Sequence, residues 1–121
     1  MSLFAQIAVV IVALLHFGFL ALEAYFWDKP LGLRIFRTDP DFAARAKAIA
    51  ANMGLYNGFI AVGLLWSVWP VGAEGAGTAL ATFFLDCVII AGIVGALTVS
   101  SRIMFVQALP GLIALGLVLA G

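Results

Sequence analysis

The chain has 121 residues, 65% of them hydrophobic and only 10% charged, with a mean hydropathy of +1.21; soluble domains carry roughly a quarter charged residues, so a soluble globular protein is excluded. Six basic and six acidic side chains cancel, and the basic ones are spread too thinly to form the cationic face of a nucleic-acid binder. The single Cys87 rules out an internal disulfide and any CxxC metal or redox motif.

The first apolar run, residues 3–27, lacks a basic leader and is too long for the apolar part of a signal peptide, so it reads as a retained membrane helix. His16 and Glu23 stand seven residues apart on one face, with Leu20 and Trp27, because seven residues return almost to the same helical angle. Tyr25, Phe26 and Trp27 form the aromatic end expected at a membrane–water interface. The charged part of the chain follows, from Asp28 to Lys47. Within it Leu31, Leu33, Ile35 and Phe36 interleave with Arg34 and Arg37, which predicts a short interfacial helix between Pro30 and Pro40. Asp39, before a proline suited to the first helical position, supplies the N-cap of the second long helix.

That helix is expected over about residues 40–69, longer than a bilayer requires, with Arg45 and Lys47 in the headgroup zone and Trp66 and Trp69 at the far interface. Its centre, Asn52-Met53-Gly54-Leu55-Tyr56-Asn57-Gly58-Phe59, combines a small-xxx-small pair, Gly54 and Gly58, with groups that hydrocarbon cannot satisfy, Asn52, Tyr56 and Asn57. The helix is therefore expected among protein. Residues 70–77 read as a nearly uncharged turn. Helix three is expected over about residues 78–98, with Asp86, and helix four over about 101–119, with Gln107 and Pro110. The expected fold is all-α: a single transmembrane domain, residues 1–121, forming an integral membrane four-helix bundle with a short interfacial helix between helices one and two.

Lys29, Arg34, Arg37, Arg45 and Lys47 belong to the first connection and Arg102 to the third, while the second connection and both chain ends lack Lys and Arg side chains. The positive-inside rule then places both ends outside. Counting about 1.5 Å per residue, His16, Asn52 and Asp86 fall in one layer near the midplane, with Glu23, Lys47 and Gln107 in a shallower layer on the cytoplasmic side. Polar groups are sparser towards the outer side, which predicts a pocket more accessible from within.

Each polar group has a plain structural reading beside a functional one. Glu23 either pairs with Lys47 or snorkels to the headgroups, or it carries protons or anchors a ligand. His16 is either a neutral imidazole bonded to Asn52 or Tyr56, or a general base or metal ligand. Asp86 is costly in hydrocarbon, by roughly 3 kcal/mol, and pairing with His16 or a functional role is expected. Asn52, Asn57 and Gln107 are interhelical glue or site residues, and Tyr56 fits either role. Metal chemistry is not expected: His16 and Glu23 are about 10 Å apart along the helix axis, and no second histidine or HExxH motif accompanies them.

His16 with Glu23 and Trp27, the stretch Ala51 to Phe59, the stretch Cys87 to Ala96, and Arg102 with Gln107 and Pro110 resemble the bacterial small membrane proteins of the domain of unknown function 1304 family. The likeness covers nearly the whole chain. It implies a four-helix integral membrane protein and carries no activity, substrate or catalytic residue; the expected setting is the bacterial inner membrane, and no cofactor is expected. Three readings stay open. The bundle binds or moves a small molecule or ion through a pocket lined by His16, Glu23, Asn52, Tyr56, Asn57, Asp86 and Gln107. Alternatively it is a membrane-embedded enzyme using His16 with Glu23 or Asp86 on a lipid-like substrate. In the third reading it is a structural partner subunit, assembled, as a homo-oligomer or otherwise, through Gly92 and Gly95 or Gly111 and Gly116.

Overall fold

The computed structural model describes residues 1–69 and 76–121. Among these residues every regular element is helical: α1 (Leu3–Ala24), α2 (Pro30–Phe36), α3 (Pro40–Ser67), α4 (Ala76–Thr98), a π-helical turn (Met104–Ala108) and α5 (Leu109–Leu119). Helices α1, α3 and α4, of 22, 28 and 23 residues, are long and apolar enough to cross a bilayer. The chain is thus a helical membrane protein with the short helix expected between the first two spans. The apolar stretch Met104–Leu119 is shorter. Most of the turn expected at residues 70–77 lies outside the described residues, which resume with α4 at Ala76. The chain divides into two compact units, Leu14–Ala61 and Met1–Ala13 with Val62–Gly121.

In the unit Leu14–Ala61, α1 ends at Ala24, short of Trp27, because the amides of Tyr25 and Phe26 both turn back to the carbonyl of Ala21 at 3.0 Å. Trp27 is left beyond the helix. Its indole N–H donates to the carbonyl of Ala43 at 2.9 Å, and its ring packs on Phe36 and Phe42. Helix α2 presses on the turn before it: a Cβ on Gly32 would meet the backbone of Phe26 and lie 2.7 Å from the Trp27 carbonyl oxygen, so only glycine fits. Arg37 ends α2 in the left-handed region (φ 54°), its amide bonded to the Leu33 carbonyl. Asp39 then caps α3 as its sequence predicts, its carboxylate accepting the Phe42 amide at 2.8 Å.

In the other unit α4 buries Ala81, Leu85, Val88, Ile89 and Gly92. Pro110 has no amide to offer the carbonyl four residues back, and just before it the chain widens into the π-helical turn. That turn lies tight on α4: a Cβ on Gly92 would stand 2.6 Å from the Ala108 nitrogen and 2.8 Å from its Cα. Gly95 faces Ile103 and Gly111 faces Val88 at 3.0 Å each by the same measure, whereas Gly116 has open space. Gly92, Gly95 and Gly111, considered from sequence as surfaces for a partner, instead serve packing within this unit.

This difference is testable. Gly92→Ala must push apart two backbones, and the expected loss is about 1–3 kcal/mol, seen as a lower unfolding midpoint in mild detergent. Gly116→Ala, with nothing within 4 Å, should leave the midpoint nearly unchanged; equal effects would contradict this packing.

Candidate functional site

Two glycines decide which face of α3 is covered within the unit Leu14–Ala61. A Cβ on Gly54 would lie 3.2 Å from the Ala24 nitrogen and the Leu20 carbonyl oxygen and 3.3 Å from the Glu23 Cβ, and one on Gly58 would lie 3.3 Å from Leu20. The backbone of α3 therefore rides directly on the last turns of α1. Each residue advances a helix by about 100°, so Asn57 stands roughly 60° from Gly54, whereas Asn52 and Tyr56 stand roughly 160° away. The glycine contact thus carries Asn57 towards α1 and turns the other two outward.

Glu23 is 6% exposed, and its Oε1 accepts a hydrogen bond from the Asn57 side-chain amide. This pair joins α1 to α3. Two turns earlier on α1, His16 is fully buried, with the Phe19 ring edge-on at 5.0 Å. Glu23 has no basic partner among the described residues. Lys47, its expected partner, forms an ion pair with Asp28 at 2.9 Å. The hydrogen bond from Lys47, foremost, holds the exposed Asp28 carboxyl below the usual aspartate range, assisted by its own backbone amide and the charges of Lys47 and Lys29, against a smaller opposing effect of desolvation. The first connection adds Lys29, whose ammonium lies 4.5 Å from the centre of the Tyr25 ring.

The other expected site residues are placed differently. Asn52 is exposed, and its side-chain amide donates to the Ala48 carbonyl one turn back at 3.0 Å. Tyr56 is 61% exposed, beside the Phe59 ring. Asp86 is exposed, on the side of α4 away from its buried stripe, and Gln107 is half-buried in the π-helical turn. The midplane layer inferred from helical rise therefore has one buried member, His16, while Asn52 and Asp86 face outward. Helical rise sets depth, but the packing glycines set direction. Among the described residues no three His, Cys, Asp or Glu side chains converge to hold a metal ion. An open apolar groove of about 310 Å³, lined by Leu3, Gln6, Ile7, Val10, Ile11 and Val68, includes none of the seven candidates.

Missed from sequence were Asp28 as the partner of Lys47 and Trp27 as a donor to Ala43 rather than only an interfacial anchor. The angular spacing from Gly54 was the available signal for separating Asn57 from Asn52 and Tyr56.

These features define a multi-helix membrane protein in which a buried carboxyl on one long apolar helix meets a half-buried carboxamide on another. The chain belongs to the family described as protein of unknown function, DUF1304, whose model matches residues 10–119 and so includes all seven candidate residues. Comparison with curated proteins and with solved structures gives no match.

The Asp28–Lys47 pair carries a pH dependence of defined sign. Because the folded carboxyl is held low, its stabilisation is complete above the usual aspartate range and is lost as pH falls through the lowered value. In Lys47→Ala the Asp28 titration, followed by carboxyl carbon NMR, should move upward towards the ordinary range. An unmoved titration would show that Lys47 does not hold it.

Proposed function

We propose that this protein binds a small cation or cationic molecule at Glu23 and Asn57, as a multi-pass protein of a bacterial inner membrane. One observation supports this above the others: a buried carboxyl on a spanning helix whose partner is an uncharged amide. An acidic group in a span costs roughly 2.5–3.5 kcal/mol at the centre, and Glu23 stands nearer the end of its helix, where part of that cost remains because the residue is buried. An interhelical hydrogen bond returns about 0.6–2 kcal/mol. The amide therefore orients the carboxyl without balancing its charge, and a cation would complete the site. Glu23 lies one residue from the end of α1, so a ligand reaches it from the first connection, past Asp28, Lys47 and Trp27. His16, about 10 Å deeper along α1, is the next polar group on that path.

Purified protein in lipid nanodiscs, unfolded by heat in a series of sodium, potassium, calcium and guanidinium chlorides, tests the reading. The midpoint should rise saturably with one of these cations in the native chain. The rise should disappear in Glu23→Gln, which keeps the shape and hydrogen bonding of the side chain, and weaken in Asn57→Ala. A rise of the same size in Glu23→Gln would place the effect elsewhere.

The charges suggest the orientation. Five basic residues between Lys29 and Lys47, with Arg102, favour a cytoplasmic first connection. Both ends of the bundle then lie outside, provided that Met104–Leu119 forms a fourth crossing. Its 16 residues span about 24 Å, which modest local bilayer thinning accommodates. Alkaline phosphatase fused after Gly121 should be active and a fluorescent protein at the same point dark, since it would be exported; the reverse would invert the topology.

A further inference from the structure

We propose that the first connection holds the phosphate of one anionic phospholipid headgroup between Arg34 and Arg37, with Lys29 adding positive charge beside them. The inference is independent of the Glu23 site and starts from the placement of α2. The helices on either side of it, α1 and α3, are both long and apolar enough to cross a bilayer. The connection between them therefore lies at one membrane surface, whichever way the chain is oriented. It is also fixed in shape. Gly32 sits against the backbone of Phe26 and Trp27, the Phe36 ring packs on Trp27, and the Trp27 indole is bonded to the Ala43 carbonyl of α3. The cations of this segment thus stand on an ordered scaffold.

Helical geometry sets where they point. At about 100° per residue, Arg34 stands roughly 160° from the buried Gly32, on the side of α2 away from that contact, and it is exposed. Leu31 and Ile35 flank it at roughly 60° and 100°, so one side of the helix joins a guanidinium to apolar groups, as the boundary between headgroups and acyl chains requires. Arg37 follows about 4.5 Å further along the axis, at φ 54°. Glycine takes that left-handed conformation most readily, so arginine contributes here only through its side chain. Lys29, just before α2, has its ammonium 4.5 Å from the centre of the Tyr25 ring.

The acids nearby are already engaged. Asp28 pairs with Lys47 at 2.9 Å, and Asp39 accepts the Phe42 amide at the start of α3. Asp41 and Arg45 both stand roughly 160° from Ala43, the α3 residue that meets Trp27, and so share the far face of that helix. Arg34 and Arg37 have no acidic partner among the described residues. Two guanidinium forks one turn apart suit the several oxygens of a phosphate, which arginine binds in bidentate fashion. The same connection exposes Ile35 at 37% and Phe42 at 44%, and it lies where anionic headgroups are concentrated. Both features favour a lipid over a soluble phosphate.

The full chain in mild detergent, titrated with phosphatidylglycerol and followed by native mass spectrometry, tests this. One lipid should bind at concentrations well below those needed for phosphatidylcholine with the same acyl chains. Arg37→Gly suits the left-handed backbone, so the lipid-free unfolding midpoint should hold or rise while affinity for phosphatidylglycerol falls roughly tenfold, as for loss of one charge-assisted contact. Arg34→Gln should weaken binding by a similar factor. Arg45→Gln removes an equal charge from the far face of α3 and should leave the affinity nearly unchanged. Equal losses in Arg45→Gln and Arg37→Gly would reduce the effect to diffuse surface charge and overturn the site. Equal binding of phosphatidylcholine would contradict the anionic preference, and displacement of the lipid by inorganic phosphate at comparable concentration would assign the two arginines to a soluble phosphate instead.

Discussion

The close approach of Gly54 and Gly58 to the last turns of α1 is the contact on which the candidate site depends. Apolar side chains gain little by leaving lipid for protein, so membrane helices associate through close van der Waals packing and satisfied polar groups. Glycine serves both needs here. With no Cβ at Gly54, the α3 backbone reaches within van der Waals distance of Leu20, Glu23 and Ala24, and that approach puts the Asn57 amide against the Glu23 carboxyl. A larger side chain at Gly54 would separate the helices and leave the carboxyl without its donor. The same contact has a consequence on the far side of α3, where Asn52 and Tyr56 are turned outward.

The unit containing α4 follows the same physics with different residues. Gly92, Gly95 and Gly111 let the chain after Arg102 lie close on α4, and the π-helical turn before Pro110 brings Ala108 into backbone contact with Gly92. Having spent its small residues inside, α4 presents Phe83, Asp86 and Ile90 outside. At the water-facing end of α1 the constraint is different. Trp27, Gly32, Phe36, Phe42 and Ala43 lock the first connection through an indole hydrogen bond, ring contacts and one place where no Cβ fits. The same connection carries the Asp28–Lys47 ion pair, its two charges matched to each other.

Much of the architecture was legible residue by residue. Span lengths follow from apolar run lengths, the short α2 from Pro30 and its interleaved arginines, and the start of α3 from Asp39-Pro40 capping. The ends of α1 and of the last helix were less legible: Tyr25 and Phe26 compete for one carbonyl, and Pro110 perturbs the chain before it. For the site, Glu23, Asn57 and His16 were identifiable as polar groups on apolar helices. The partner of Lys47 was not, because Asp28 and Glu23 are both within reach along the chain and only the turn after Ala24 decides between them.

By itself the sequence determined that this is a helical membrane protein and which stretches are long and apolar enough to cross a bilayer, because hydropathy, capping and helical rise are local properties of the chain. Only the tertiary structure decided which polar groups meet. Glu23 with Asn57, Lys47 with Asp28, and an outward Asp86 all depend on the azimuth at which helices touch. That azimuth is set by glycine contacts between segments distant in sequence, where a difference of one Cβ determines how closely two backbones approach.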